Sequence, residues 1–216
     1  MTRFLDLVRP GAGTALMSEW LTGTAERSRL AADTMVGEWA AAGTPSGRLA
    51  QHVFLSTDGT GLLFYAQWTS DEDHLAWARA HRAGAVSHVD TLVPGIERPG
   101  LTRTRLARSV VHDADRPVGV HVVSTVAVDG DALEATVAPA PGLLAAHVHL
   151  TPDGEQAMVV AEWSDAAAHE TAVHEAASRD AAASGGVGCR RYTLHHAFED
   201  DRRESADPKG VAGSTG

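Results

Sequence analysis

The sequence predicts an α+β protein in which two β-α-β-β-α-β (ferredoxin-like) repeats pack sheet to sheet as an intramolecular α/β barrel. Residues 49–74 recur at an offset of 95 residues with ten of 26 positions identical, where chance would give about two. Asp58-Gly59 and Asp153-Gly154 mark hairpin turns at equivalent places in the two copies. The strand after the first turn is apolar on both faces, so the repeat needs a partner surface that the second repeat supplies.

The first repeat, residues 1–112, begins with a predicted strand over residues 3–8. Ser70 is a helix N-cap, because three acidic residues follow it where the helix dipole favours negative charge. The other predicted elements are helices over roughly 14–22 and 24–41, hairpin strands over 49–56 and 61–68, and a last strand over about 101–111.

The second repeat, residues 117–198, follows a short polar link and shows the same order with a shorter first helix. Asp165 caps an alanine-rich helix that is expected to end near residue 183. Residues 199–216 are rich in polar residues and glycine and are expected to be a disordered tail. The remaining predicted elements are a strand over 118–128, a helix over 131–137, hairpin strands over 144–151 and 155–163, and a strand over 189–194.

Composition excludes several classes of protein. The 216-residue chain is 44% apolar, which is enough for a core, and its net charge of −10 argues against nucleic acid or an anionic membrane as a partner. The single cysteine, Cys189, leaves no intramolecular disulfide and no multi-cysteine zinc site. No apolar run has the length of a membrane span and no signal peptide is evident, so we expect a cytoplasmic protein.

Alternation along residues 61–68 places Phe64 and Trp68 on one face of the strand and Tyr65 on the other. On the following helix, His74 and His81 share a stripe with small residues, and Trp77 lies beside them. Such a stripe leaves space between helix and sheet that suits a flat aromatic ligand. The alternative is close packing of helix on sheet through the alanines.

The two hairpins, together with the repeated element order, resemble tandem antibiotic biosynthesis monooxygenase (ABM) domains. The better match is residues 49–82, which contain Tyr65-Ala66-Gln67-Trp68-Thr69-Ser70, and the weaker match is residues 143–177. The resemblance implies a dimeric α/β barrel formed within one chain. It also implies an oxygenase that converts aromatic polyketide anthrones to quinones with molecular oxygen and with neither metal nor flavin. Other relatives bind and degrade haem.

The resemblance assigns site residues, with departures from the family pattern. Trp68 and Trp163 match the pocket tryptophan, and His74 and His169 stand where the oxygenases have a tyrosine. An asparagine of the oxygenases is replaced by Phe64 in the first repeat and by Val159 in the second, which removes a hydrogen-bond donor. His74, as a base, and Trp68 are therefore the predicted catalytic residues. The predicted substrate-binding residues are Phe64, Tyr65, Trp77, His81, Trp163 and His169.

Several alternatives stay open at this stage. Trp68 and Trp163 are equally compatible with core positions, and His52 and His147 with buried structural histidines. Glu162 is expected between the sheets, with Arg190 or Arg191 as its partner. No metal site is expected, and haem is a lesser possibility. The expected partner is a small aromatic molecule, and the chain is expected to be a monomeric pseudo-dimer or a homodimer of it. A ligand-binding module without catalysis is the alternative function.

Overall fold

The computed structural model describes residues 7–179 and 188–199. Within these residues the chain forms eight strands and four helices in the order β-α-β-β-α-β, repeated once. The first six elements are β1 (Thr14–Leu21), α1 (Ala25–Ala41), β2 (Arg48–Ser56), β3 (Gly61–Trp68), α2 (Asp71–Leu92) and β4 (Glu97–Val111). The second six are β5 (Val120–Ala127), α3 (Gly130–Val137), β6 (Leu143–Leu150), β7 (Gln156–Trp163), α4 (Ala166–Arg179) and β8 (Cys189–Glu199).

The eight strands close into one antiparallel barrel in the order β1-β3-β2-β8-β5-β7-β6-β4. Two pairings join the halves of the chain, β2 with β8 and β4 with β6. Closure leaves no unpaired sheet edge. The α+β class and the barrel are thus confirmed, with the two four-stranded halves hydrogen-bonded at their edges. The division into domains at residues 112 and 117 stays a prediction.

The predicted helix over 14–22 is wrong, since these residues form β1, paired with β3 and β4. Its sequence contains several good helix formers, so local propensity favours a helix and tertiary pairing overrides it. Because side chains alternate along a strand, the change from helix to strand alters which side chains enter the core. Met17 lies inside the barrel, whereas Trp20 packs outside it under the helices. In a helix the two side chains would share one face.

Other predictions concern the ends of the elements. The hairpins, the α2 cap at Ser70 and the short α3 are found as predicted, with ends within a few residues. Leu7 and Val8 lie outside the strands, and the rest of the predicted strand over 3–8 falls outside the described residues. The predicted last strand is too short and the predicted tail begins one residue too early, since β8 runs to Glu199. The end of the helix near 183 and residues 200–216 also fall outside the described residues. None of the helices in the described ranges combines the length and apolar character that a membrane crossing requires.

Alternation along β3 separates the two layers that this strand serves. Leu62 and Phe64 face α1 and α2 and pack with residues such as Met35 and Val89. Leu63 and Tyr65 point into the barrel and pack against residues of the other half. The space between β3 and the two helices is therefore separate from the barrel interior, and this space holds the candidate site.

Candidate functional site

A cavity of about 80 Å³ lies between the outer face of β1 and β3 and the helices α1 and α2. It reaches the surface beside Leu101, which is 41% exposed. Most of its lining is apolar or aromatic, and four lining residues are polar. The lining residues are Leu16, Ser18, Trp20, Met35, Trp39, Gln51, Phe64, Ala66, Trp68, His74, Trp77, Arg82, Val86 and Leu101.

Aromatic rings in edge-to-face contact form the inner wall of the cavity. The ring of Phe64 lies 4.8 Å from Trp20 and 5.0 Å from Trp39 between centroids. Because all three side chains are buried, this wall is rigid and apolar. Phe64 thus completes an apolar cluster at the position where the resemblance predicts an asparagine.

Trp68 and His74 form the polar end of the cavity, and their rings meet edge to face at 5.3 Å. Trp68 is the last residue of β3, and His74 lies in the first turns of α2, after the Ser70 cap. Both are almost fully buried. The indole N–H of Trp68 has no hydrogen-bond partner among the described residues, so a buried donor remains for a ligand to satisfy.

Burial and a contact with Arg103 on β4 set the protonation state of His74. Nη2 of the arginine donates a hydrogen bond to Nδ1 of His74 at 3.2 Å, and its Nη1 donates to Asp71 at 2.8 Å. Burial and then the positive charge of Arg103 lower the pKa of His74 to about 4, although Asp71 opposes the shift. His74 is therefore neutral near pH 7.

The tautomer of His74 follows from the same contact. An arginine can only donate, so Nδ1 of His74 accepts and the proton of the neutral ring is on Nε2. The free side of the ring is thus a hydrogen-bond donor. The base role of His74 stays a prediction; in this tautomer the ring offers a substrate a donor and not the lone pair that a base needs. The arrangement suits the stabilisation of a negative oxygen instead.

The structure brings together four of the predicted site residues, Phe64, Trp68, His74 and Trp77. Tyr65 lies on the opposite face of β3, inside the barrel, so its prediction as a substrate contact is corrected by strand alternation. His81 is exposed and outside the lining, with its ring stacked on Trp77 at 5.4 Å. The stripe of α2 that faces the cavity therefore includes His74 but not His81, and is shorter than predicted.

Trp163 and His169 lie in the second half of the chain, away from the cavity. Their rings meet edge to face at 5.1 Å, which closely repeats the geometry of the Trp68–His74 pair. Burial followed by the charge of Arg191 lowers the pKa of His169 as well. However, Trp163 packs with alanines of α4, such as Ala168 and Ala172, which bring this helix close to the sheet.

A second polar group lies inside the barrel. Glu162 is 1% exposed, with Nε2 of His121 at 3.8 Å and Nε2 of His147 at 4.0 Å from its carboxylate oxygens. The predicted arginine partners are wrong, since Arg190 pairs with Glu19 and Arg191 with Glu170. In the part of the chain that the structure describes, no group of three or more potential ligands is arranged to hold a metal ion.

Two arginines of the site were not predicted from the sequence. Arg82 lies eight residues after His74 on α2, and the helical period alone would have placed the two on neighbouring faces. Arg103 comes from β4, and only the pairing of β4 with β1 brings it to His74. Nothing local in the sequence signals that contact.

No protein-family model matches the sequence, and no curated protein is detectably similar to it. Solved structures do match. An anthrone oxidase-like protein has a TM-score of 0.60 and 20% identity, covering 86% of this chain and 92% of that chain. A putative monooxygenase from Lactobacillus acidophilus NCFM has a TM-score of 0.51 and 12% identity, covering 86% of this chain and 96% of that chain. A putative monooxygenase from Fusobacterium nucleatum subsp. nucleatum ATCC 25586 has a TM-score of 0.54 and 11% identity, covering 87% and 95%.

These similarities, at low identity and over most of both chains, concern the fold. The predicted resemblance is thereby confirmed at the level of architecture: this chain has the dimeric α/β-barrel fold of monooxygenase-like and anthrone oxidase-like proteins.

Proposed function

We propose that this protein is a cofactor-independent monooxygenase, or a closely related tailoring enzyme, that oxygenates a polycyclic aromatic, polyketide-like substrate in the cavity between β3 and α2. The observation that carries the proposal is the Trp68–His74 pair, which brings two ring N–H groups to one end of a mostly apolar and aromatic cavity. The similarity to an anthrone oxidase-like protein supports the class of substrate.

In the proposed reaction the substrate itself supplies the electrons that reduce O₂. An anthrone loses a proton from its CH₂ group to solvent at the open side of the cavity, and the resulting carbanion reduces O₂ and forms a C–O bond. The peroxide anion that results takes up a proton from solvent and becomes a hydroperoxide. The hydroperoxide then loses water, so that one CH₂ group and one O₂ become one C=O group and one H₂O. Nε2–H of His74 donates to the oxyanion of the ionised substrate, and the aromatic wall excludes water from the reacting carbon.

The cavity must open to admit such a substrate. Its 80 Å³ is about half of the roughly 150 Å³ of a cavity that binds benzene. Trp77 is the half-buried ring at its outer side, 5.7 Å from Trp68 between centroids. We propose that Trp77 swings outward, so that one end of the substrate enters while the rest extends past Leu101.

In its contact with Arg103, the His74 ring does not offer haem iron a lone pair. A haem-ligating imidazole binds iron through an unprotonated nitrogen. In His74, Nδ1 accepts from Arg103 and Nε2 carries the proton. No step of the proposed reaction therefore involves haem. Titration of the protein with haem is the corresponding test, and we expect no Soret band of a haem–protein complex to appear.

We also propose that the two halves of the chain, residues 1–112 and 117–198, are tandem copies of one ABM-like domain. The matching Trp–His ring pairs support this. Two equivalent backbone hydrogen bonds also support it: the N–H of Gly13 donates to the carbonyl of Trp68, and the N–H of Gly119 donates to that of Trp163, each at 2.9 Å. A Cβ at either glycine would collide with a backbone carbonyl, so both copies need glycine there.

A second candidate function is a ligand-binding module without catalysis. Phe64 favours it, because this ring removes the donor that the resemblance places there and is fixed between Trp20 and Trp39. The two functions are separated by an assay of metal-stripped protein with anthrone under air and under argon. Oxygen-dependent quinone formation above the buffer rate, reduced in His74→Phe, supports the oxygenase. No such formation with several anthrones supports the module.

A further inference from the structure

Arg82 is the one charged residue among those that line the cavity. It is exposed at the outer side, on α2, two turns after His74. Within the described residues its guanidinium has no hydrogen-bond or ion-pair partner. The residues three and four positions away on the helix are Ala78, Arg79, Ala85 and Val86, so no acid is available one turn away.

Trp68 and His74 add further hydrogen-bond donors to the cavity. Trp68 presents a buried indole N–H without a partner, and His74 carries its proton on the nitrogen that Arg103 leaves free. Ser18 and Gln51 each donate one hydrogen bond to a backbone carbonyl, that of Gly100 and that of Tyr65. Among the described residues, no acidic side chain lines the cavity. A ligand that satisfies the N–H groups of Trp68 and His74 and the guanidinium of Arg82 must therefore supply acceptors.

The charge of the cavity is opposite to that of the chain. The chain carries −10, yet Arg82 is in the wall of the cavity and Arg103 lies behind His74. A third arginine, Arg98, lies over the ring of the lining residue Trp20 and pairs with Asp90. The guanidinium of Arg103 is balanced by Asp71 at 2.8 Å, whereas that of Arg82 is not balanced by any acid in the described ranges. Both arginines also act on His74, since each lowers its pKa.

We infer that the substrate of this protein is a planar aromatic acid, and that Arg82 at the mouth of the cavity is the counter-ion of its carboxylate or ionised phenol. The inference rests on the proposed function in taking this cavity as the substrate site. An aromatic ring enters between Trp68 and Trp77, while the anionic group stays at the exposed side, where a guanidinium binds a carboxylate with two parallel hydrogen bonds.

The test is binding, measured without turnover. The probes are 2-naphthoate and its neutral isostere 2-naphthamide, titrated calorimetrically into the full-length protein at pH 7. We expect the wild type to prefer naphthoate by about tenfold, which is typical of a hydrogen bond to a charged group. Arg82→Gln should reduce the preference to threefold or less and leave the affinity for naphthamide unchanged.

Arg79→Gln is the matched control, because it removes the same charge from the same exposed helix outside the cavity lining. It should keep the tenfold preference. Arg82→Lys should retain part of it, since a lysine keeps the charge without the two-pronged geometry. The indole N–H resonance of Trp68, assigned with Trp68→Phe, should shift when naphthoate binds and report the location.

Equal affinity for the two probes, no binding of either, or the same loss in Arg79→Gln as in Arg82→Gln would overturn the inference. These results are independent of oxygenation. If the protein prefers naphthoate through Arg82 but forms no quinone, the inference stands and the proposed catalysis is wrong. If it forms quinone but shows no preference for the charged probe, the proposed catalysis stands and the inference is wrong.

Discussion

Nη2 of Arg103 donates a hydrogen bond to Nδ1 of His74 at 3.2 Å, across the boundary between β4 and α2. The same guanidinium bonds Asp71, the first residue of α2. One arginine therefore anchors the start of the helix to the sheet and sets the tautomer of the histidine. The proposed role of His74 as an oxyanion donor depends on this contact.

Removing this contact should change the titration of His74. In Arg103→Met, the pKa of His74 rises from about 4 toward its ordinary value, because a positive charge is lost while Asp71 remains. NMR of the imidazole nitrogens reports both the pKa and the tautomer. Arg105→Met, an exposed change on the same strand, should leave both unchanged. An unaltered His74 titration in Arg103→Met would show that the contact does not control the ring.

Trp77→Ala should widen the cavity. The half-buried indole packs between Trp68 and His81, so its removal opens the outer side with a loss of about 1–3 kcal/mol of stability. Binding of a tricyclic aromatic should strengthen relative to a single ring, as measured by calorimetry. His81→Ala removes the other ring of the stacked pair without reaching the cavity, and serves as the control. Weaker binding of the tricyclic in Trp77→Ala would mean that the indole is a wall of the site.

Phe64→Asn tests whether the missing donor limits catalysis. The change removes a buried ring from contact with Trp20 and Trp39, and we expect a loss of about 3–5 kcal/mol in the free energy of unfolding. If the domain remains folded, quinone formation should rise, because a donor returns to the lining of the cavity. Val159→Asn, at the equivalent position of the second half, should give no rise. Comparable gains from both variants, or from neither, would count against the first cavity as the reaction site.

Histidines inside the barrel should make the protein sensitive to acid. Burial, in the first place, lowers the pKa of His52 and His149 to about 3 and that of His121 to about 4. The unfolded chain binds these protons near pH 6.5, so stability is constant above about pH 7 and falls as the pH drops toward 4. At pH 5 each of these histidines lowers the free energy of unfolding by about 2 kcal/mol relative to its value above pH 7. Urea unfolding at pH 7.5 and pH 5 measures the difference.

The variant His149→Gln isolates one of these contributions. It should be less sensitive to the change from pH 7.5 to pH 5 than the wild type by about 2 kcal/mol, whatever its stability at pH 7.5. Equal unfolding free energies of the wild type at the two pH values would contradict the burial of neutral histidines in the barrel.

The parts of the fold that the sequence predicted are those with strong local signals. The Asp-Gly turns predicted both hairpins correctly, and the Ser70 cap predicted the start of α2. β1 was mistaken for a helix because Ala15, Leu16 and Met17 favour helix locally, and only pairing with β3 and β4 makes them a strand.

The site was predictable where two residues close together in the sequence carry it. Trp68 and His74 are six residues apart, and both line the cavity as expected. The role of His74 was not predictable, because it depends on Arg103, which is 29 residues away and reaches it through the register of β4 on β1. Long-range contacts of this kind leave no pattern in a single sequence.

The most direct test of the account is isotope labelling with metal- and flavin-depleted protein under ¹⁸O₂. The account predicts a quinone with one ¹⁸O atom in its new carbonyl, formed faster than in buffer and at a reduced rate in His74→Phe. An unlabelled quinone, or a rate equal to that of buffer, would contradict it.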